Sequence, residues 1–114
     1  MLFRSSFTMK TQTSLHNDNE TNTTVLQVIT PDRPGLLAHL ANIFARFELI
    51  LYNAKISTLG ERVEDTFYIR DKDNQPITDE KTSDQIKQVI REELDSRNKN
   101  IEGESMSQSI KIGQ

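Results

Sequence analysis

Apolar and polar positions along the 114-residue chain fall into periodic stretches separated by short polar breaks. Phe7–Leu15 alternates, with Phe7, Met9, Thr11, Thr13 and Leu15 on one face and Thr8, Lys10, Gln12 and Ser14 on the other, which predicts a strand. His16–Asn22 is polar throughout and reads as a loop. Thr23–Thr30 carries apolar residues on both faces, Val25 and Ile29 against Leu26 and Val28, as a central strand does. Leu36, Leu40, Ile43, Phe44 and Phe47 then recur at helical spacing, with Leu37 and Ala41 widening the stripe. Glu48–Leu59 and Val63–Asp71 alternate again around a Gly60-Glu-Arg turn and predict a hairpin. In it Ile50, Tyr52, Ala54 and Ile56 share one face of the first strand, and Val63, Phe67 and Ile69 point inward from the second. After the turn cluster Asp71–Pro76, Thr78 or Asp79 caps a last helix running to about Leu94, with Ile86, Val89, Ile90 and Leu94 as its buried stripe.

The order is thus β, β, α, β, β, α. Without the first strand the core reads βαββα, one strand short of a ferredoxin-like βαββαβ sandwich. Phe7–Leu15 is expected to fill the vacant place, in preference to a short strand at Ser109–Ile112, because its alternation is longer and its threonines suit a sheet. The expected organisation is an extension over residues 1–6, one domain over 7–95 and a flexible polar tail over 96–114.

Composition narrows the function classes. A net charge of −3 and a pI near 5.4 oppose nucleic-acid binding. The sheet's outward Tyr68, Arg70 and Lys55 make too thin a platform for single strands. The chain has no cysteine, so disulfides, thiolate nucleophiles and zinc–thiolate sites are excluded. No apolar run approaches the roughly 20 residues of a membrane span, and Met1–Lys10 makes a poor signal peptide, so a cytoplasmic location is expected. A mean hydropathy of −0.61 fits a domain with an unpacked tail.

Catalytic chemistry finds little support. His16 and His39 lack partners at a fixed spacing and read as surface residues. The glycines (Gly35, Gly60, Gly103, Gly113) are isolated, so no phosphate cradle is indicated. Glu61, Glu64 and Asp65 flank a hairpin tip more simply than they hold a metal. Asp65 shares the inward face with Val63 and Phe67, where it reads as a residue bonded to a neighbouring turn rather than as a ligand group.

The turn Thr30–Leu37, TPDRPGLL, stands out. Two prolines hold it in one shape, and Gly35 lets a ligand approach the backbone at a helix start, where N–H groups lack partners. A small carboxylate could be held there. A stiff strand-to-helix turn capped by Asp32 explains the same residues, and chemistry alone leaves the two readings equal.

Thr30–Asp71, an Asp-Arg-Pro-Gly-Leu-Leu turn followed by an amphipathic helix and a β-hairpin, resembles the ACT domain, a small-molecule-sensing regulatory module. Asn53–Asp71, NAKISTLGERVEDTFYIRD, with the following QPITD, is similar to the carboxy-terminal ACT domain of bacterial PII uridylyltransferases. The likeness spans roughly Phe7–Leu94. It implies a ferredoxin-like α+β sandwich, a four-stranded antiparallel sheet with two helices on one face. It also implies pairing with a second ACT domain as a homodimer or within a larger protein, no cofactor, and an amino-acid ligand, glutamine first, regulating the catalytic domains of a parent enzyme. The implied site comprises Asp32, Arg33, Pro34, Gly35, Leu36 and Leu37, with Asn53 as a polar wall. Leu49, Ile50 and Leu51 stand where some relatives have a polar contact. The transferase's Gly-Ser and paired-aspartate signature is absent from the sequence, so the chain by itself is not expected to be an enzyme. A pairing module without a ligand, or a piece of a non-enzymatic ACT-repeat protein, is the alternative.

Overall fold

A computed structural model describes residues 10–112, with side chains described for residues 10–96. The elements are β1 (Gln12–Asp18), β2 (Thr23–Pro31), α1 (Leu36–Arg46), β3 (Ile50–Leu59), β4 (Arg62–Arg70) and α2 (Glu80–Ile112). The strands form one sheet in the order β1-β2-β4-β3, and every neighbouring pair is antiparallel. β1 therefore occupies the edge beside β2, the place a ferredoxin-like sandwich gives its last strand.

The register follows the apolar pattern. Leu26 of β2 lies opposite Phe67 of β4, and Thr30 opposite Val63, so these residues share the face covered by the helices. Leu36, Leu40, Ile43 and Phe44 of α1 join Ile86, Ile90 and Leu94 of α2 and the inward residues of β2 and β4 in one buried cluster. Phe44 meets Phe67 edge to face, ring centroids 5.1 Å apart.

Several expectations need correction. The first strand begins at Gln12 and extends through Asp18 into the segment expected as a loop. Residues 7–9 lie outside the described residues. The polar His16–Asp18 stay extended because they pair with β2, and because Asn17 is satisfied on the helix side by the Thr24 hydroxyl (2.7 Å) and the Ile77 carbonyl (3.3 Å). In β3 the alternation breaks at a bulge between Leu51 and Asn53. Ala54 and Ile56 lie opposite the inward Phe67 and Asp65, whereas Ile50 lies opposite Arg70 on the other face. Tyr52 stacks against the Arg70 guanidinium, 4.3 Å from its ring centroid, and is paired with neither group.

The last helix does not stop near Leu94, and Ser109–Ile112 is helical rather than a strand. Leu94 is only the last residue of the core stripe. Nothing in 95–112 forces a stop: the segment has no proline, and its single Gly103 disfavours the helix by only about 1 kcal/mol. Asp79 does cap α2: its carboxylate accepts from the Thr82 hydroxyl (2.7 Å), and the N–H groups of Lys81 and Thr82 also hold its pKa down.

Candidate functional site

The turn between β2 and α1 is anchored at both ends. Pro31 lies opposite Arg62, and the Asp32 N–H donates to the Glu61 carbonyl at 2.8 Å, tying the turn to the β3–β4 hairpin. Asp32, Pro34 and Gly35 are exposed, Arg33 and Leu36 are buried, and Leu37 is 49% exposed.

Asp32 does not cap the helix. The cap position belongs to Gly35, in the left-handed region at φ 77°, and no side chain bonds the helix start. A non-glycine residue is strained in that conformation, which accounts for the glycine. The Leu36 N–H reaches the Arg33 carbonyl at 3.3 Å and the His39 N–H reaches the Gly35 carbonyl at 2.9 Å. Among the described residues, the N–H groups of Leu37 and Ala38 have no backbone acceptor. The open donors are thus shifted one residue along from the expected set of Gly35, Leu36 and Leu37. They carry the positive end of the α1 dipole. A Cβ built on Gly35 meets nothing within 4 Å, so the space before the helix start is open.

Arg33 is tied to α1 itself. Its Nη2 donates to His39 Nδ1 at 3.0 Å, and since arginine only donates, the ring proton sits on Nε2, which donates to Glu93 Oε1 at 2.9 Å. Arg46 Nη2 meets the same oxygen at 2.5 Å. The bonds from Arg46 and His39 together pull the Glu93 carboxyl down to about 2. His39 is therefore not an isolated surface histidine but a link between the turn and α2. Fifty-four residues separate it from Glu93, and no local pattern announces the contact.

Asn53 is not brought to the turn within one chain. It lies opposite Tyr68, whereas the turn joins the ladder at Arg62. Six residues of strand separate the two levels, roughly 20 Å. Asn53 Oδ1 accepts from the Ala54 N–H (2.9 Å), and the residue lines an open groove of about 370 Å³ with Tyr52, Lys55, Tyr68 and Arg70 on the face away from the helices. Arg70 is committed there to structure: it donates to the carbonyls of Asn22 (2.9 Å) and Thr21 (3.2 Å) and to the Tyr52 hydroxyl (3.1 Å).

Asp65 points inward as expected but bonds to no turn. It is 1% exposed, and neither carboxylate oxygen makes a hydrogen bond. Burial raises its pKa; the nearby Ser57 N–H, outside bonding geometry, pulls the other way, and the Asp32 charge adds to the rise.

The described residues hold no group of three or more histidines or carboxylates able to bind a metal, and no helix among them is long and apolar enough to cross a membrane. A four-stranded sheet of this order, helices on one face and a glycine-started helix after the central strand define an ACT-type fold. The profile of the ACR family N-terminal ACT domain matches residues 19–97, more than half of the chain, and the chain belongs to the ACT domain family. It is 47% identical over 92 residues to the bifunctional uridylyltransferase/uridylyl-removing enzyme of Stutzerimonas stutzeri (strain A1501), covering 81% of this chain and 10% of that protein. It is 49% identical over 88 residues to the enzyme of the same description from Pseudomonas syringae pv. tomato, covering 77% of this chain and 10% of that protein. The chain thus spans about a tenth of the length of these relatives. No solved structure matches it.

Proposed function

We propose that the chain is the amino-acid-sensing part of a uridylyltransferase/uridylyl-removing protein acting in nitrogen signalling in the cytoplasm, with glutamine as the first candidate ligand. The observation that carries this reading is the start of α1: a left-handed glycine, no side-chain cap, and the Leu37 and Ala38 N–H groups open toward exposed space. A ligand carboxylate supplies the acceptors that the chain does not. Each such charge-assisted bond is worth about 1.5–3 kcal/mol, so two bonds supply about 3–6 kcal/mol before the cost of association, and the binding expected is weak, in the millimolar range at best. The Arg33–His39–Glu93 chain carries a change at the turn to α2 and so toward the catalytic domains of the longer protein. The relatives' printed names and the family match support the parentage; the ligand rests on the geometry of the turn.

Pairing with a second ACT domain is the other half of the proposal. All ten residues of β3 are exposed, and Ile50, Leu51, Tyr52, Ile56 and Leu59 leave 36–49% of their surface to solvent. Such a long apolar edge favours strand addition. The open face of β2 is less needy than the sequence implies, because Val25 is already 7% exposed within the single chain.

Calorimetry with glutamine, glutamate and serine on the wild-type chain and on Gly35→Asn tests the ligand reading. Asparagine tolerates the left-handed region, and its side chain projects into the space before α1. Glutamine is expected to bind the wild type and to bind Gly35→Asn at least about tenfold more weakly. Absence of heat with all three amino acids at millimolar concentration overturns the reading.

A further inference from the structure

One ring, that of His39 on α1, joins three elements. Its Nδ1 meets Arg33 of the β2–α1 turn at 3.0 Å, and its Nε2 meets Glu93 of α2 at 2.9 Å. The two contacts ask opposite things of the ring. A guanidinium only donates, so Nδ1 must offer a lone pair. Glu93 is held at about 2, so wherever a histidine titrates it is an ionised carboxylate that only accepts, and Nε2 must carry the hydrogen. The neutral Nε2–H tautomer alone satisfies both.

The protonated ring cannot keep both. Its Nδ1 then bears a hydrogen aimed at an N–H of Arg33, so two donors and two positive charges face each other. The contact with Glu93 becomes an ion pair instead. The charged groups around the ring are Arg33 from the turn, Glu93 from α2, and Arg46 from α1, which shares the Glu93 oxygen at 2.5 Å. Among the described residues Glu93 is the one acid within ion-pair distance of the ring. The buried acid of the sheet, Asp65, makes no hydrogen bond to it. The His39 side chain is 20% exposed, so water can deliver the proton.

We propose that His39 is a proton-operated link between the turn and α2. Neutral, the ring makes Arg33, His39 and Glu93 one continuous chain. Protonated, it stays with Glu93 and gives up the bond to Arg33. The step removes one bond of Arg33 and does not depend on its others. The Leu37 and Ala38 N–H groups lie two residues and one residue before His39 on the same helix. An acid shift therefore alters what an event at the α1 start passes on to α2. That consequence rests on the ligand reading of the turn; the proton step itself rests on the geometry of the ring alone.

The test follows ring-nitrogen and amide resonances of the isotopically labelled chain, without ligand, from about pH 8 to pH 5, the range in which histidine changes charge. At the upper end His39 is expected to carry its hydrogen on Nε2 and none on Nδ1. As pH falls, the amides of Arg33, Gly35 and Leu36 are expected to shift with the same midpoint as the His39 ring. His39→Gln is the control: its carbonyl oxygen can accept from Arg33, its NH2 can donate to Glu93, and neither titrates. The turn amides of that variant are expected to lose the transition. A transition that persists belongs to another group, first of all Asp65, whose carboxyl burial pushes up, and overturns the proposal. A hydrogen on Nδ1 at pH 8, or turn amides that do not follow the ring, overturns it as well. The wild-type midpoints are decisive even where His39→Gln fails to fold. No glutamine is present, so the proton link and the ligand reading stand or fall separately.

Discussion

The two helices of this domain begin in opposite ways. α2 starts on Asp79, whose carboxylate takes the Thr82 hydroxyl and is stabilised by the N–H groups of the first turn. α1 starts on Gly35 with no side-chain acceptor, and the buried Asp65, on the helix-facing side of β4, accepts no hydrogen bond. Both starts face the same requirement, orphan N–H groups and a positive dipole end. One is met inside the chain, and the other is left with a separated donor set and anion. A helix that needed only to fold would be capped as α2 is. On the reading proposed above, the α1 start is left open for a ligand's carboxylate at a cost in stability.

Asp65→Asn should sharpen this contrast most. Its carboxyl sits above the ordinary value of 3.8, so the folded state holds its proton more tightly than the unfolded state does. The destabilisation is absent below that value and develops as pH rises through the folded pKa. The variant should gain about 1–3 kcal/mol over wild type near pH 7 and nothing near pH 3, read by denaturant unfolding at both pH values. A loss of stability at pH 7 would mean that Asp65 has a partner in the fold. Asp79→Ala should go the other way, losing about 1 kcal/mol at pH 7. An equal gain in both variants would erase the distinction between the two starts. The link between the helices should give the smallest effect. Glu93 is held at about 2, so the stability it adds is present above its ordinary 4.5 and fades as pH falls toward 2. Its side chain is 33% exposed and therefore screened, so Glu93→Gln should lose only about 0.5–1 kcal/mol at pH 7, narrowing at acid pH in the same unfolding assay.

Much of the fold was legible because the signals are local. The stripe Leu36, Leu40, Ile43, Phe44 and the alternation of Val63, Phe67 and Ile69 each specify an element and its inward face. The vacant edge was filled as the alternation of Thr11, Thr13 and Leu15 implied, since β1 lies beside β2. Features set by distant contacts were not legible. His16–Asp18 is held extended by β2, the Tyr52 bulge shifts one end of β3 onto the other face, and α2 runs on past its core stripe for want of a stop signal. The site divides in the same way. Asp32–Leu37 were singled out as candidates from the glycine and prolines of one turn, and Asp65 was placed inward by its alternation. Its lack of a donor could be seen only with the helices in place, as could the separation of Asn53 from the turn. The His39–Glu93 contact joins residues no sequence window contains.

The central claim is that the start of α1 holds a ligand's carboxylate. Amide chemical shifts of the isotopically labelled chain, followed during titration with glutamine, test it most directly. The account predicts that the largest changes fall on Leu37 and Ala38, with Leu36 next and the groove around Tyr52 and Tyr68 unmoved. Changes confined to that groove, or an α1 start that does not respond to any amino acid at millimolar concentration, would contradict it.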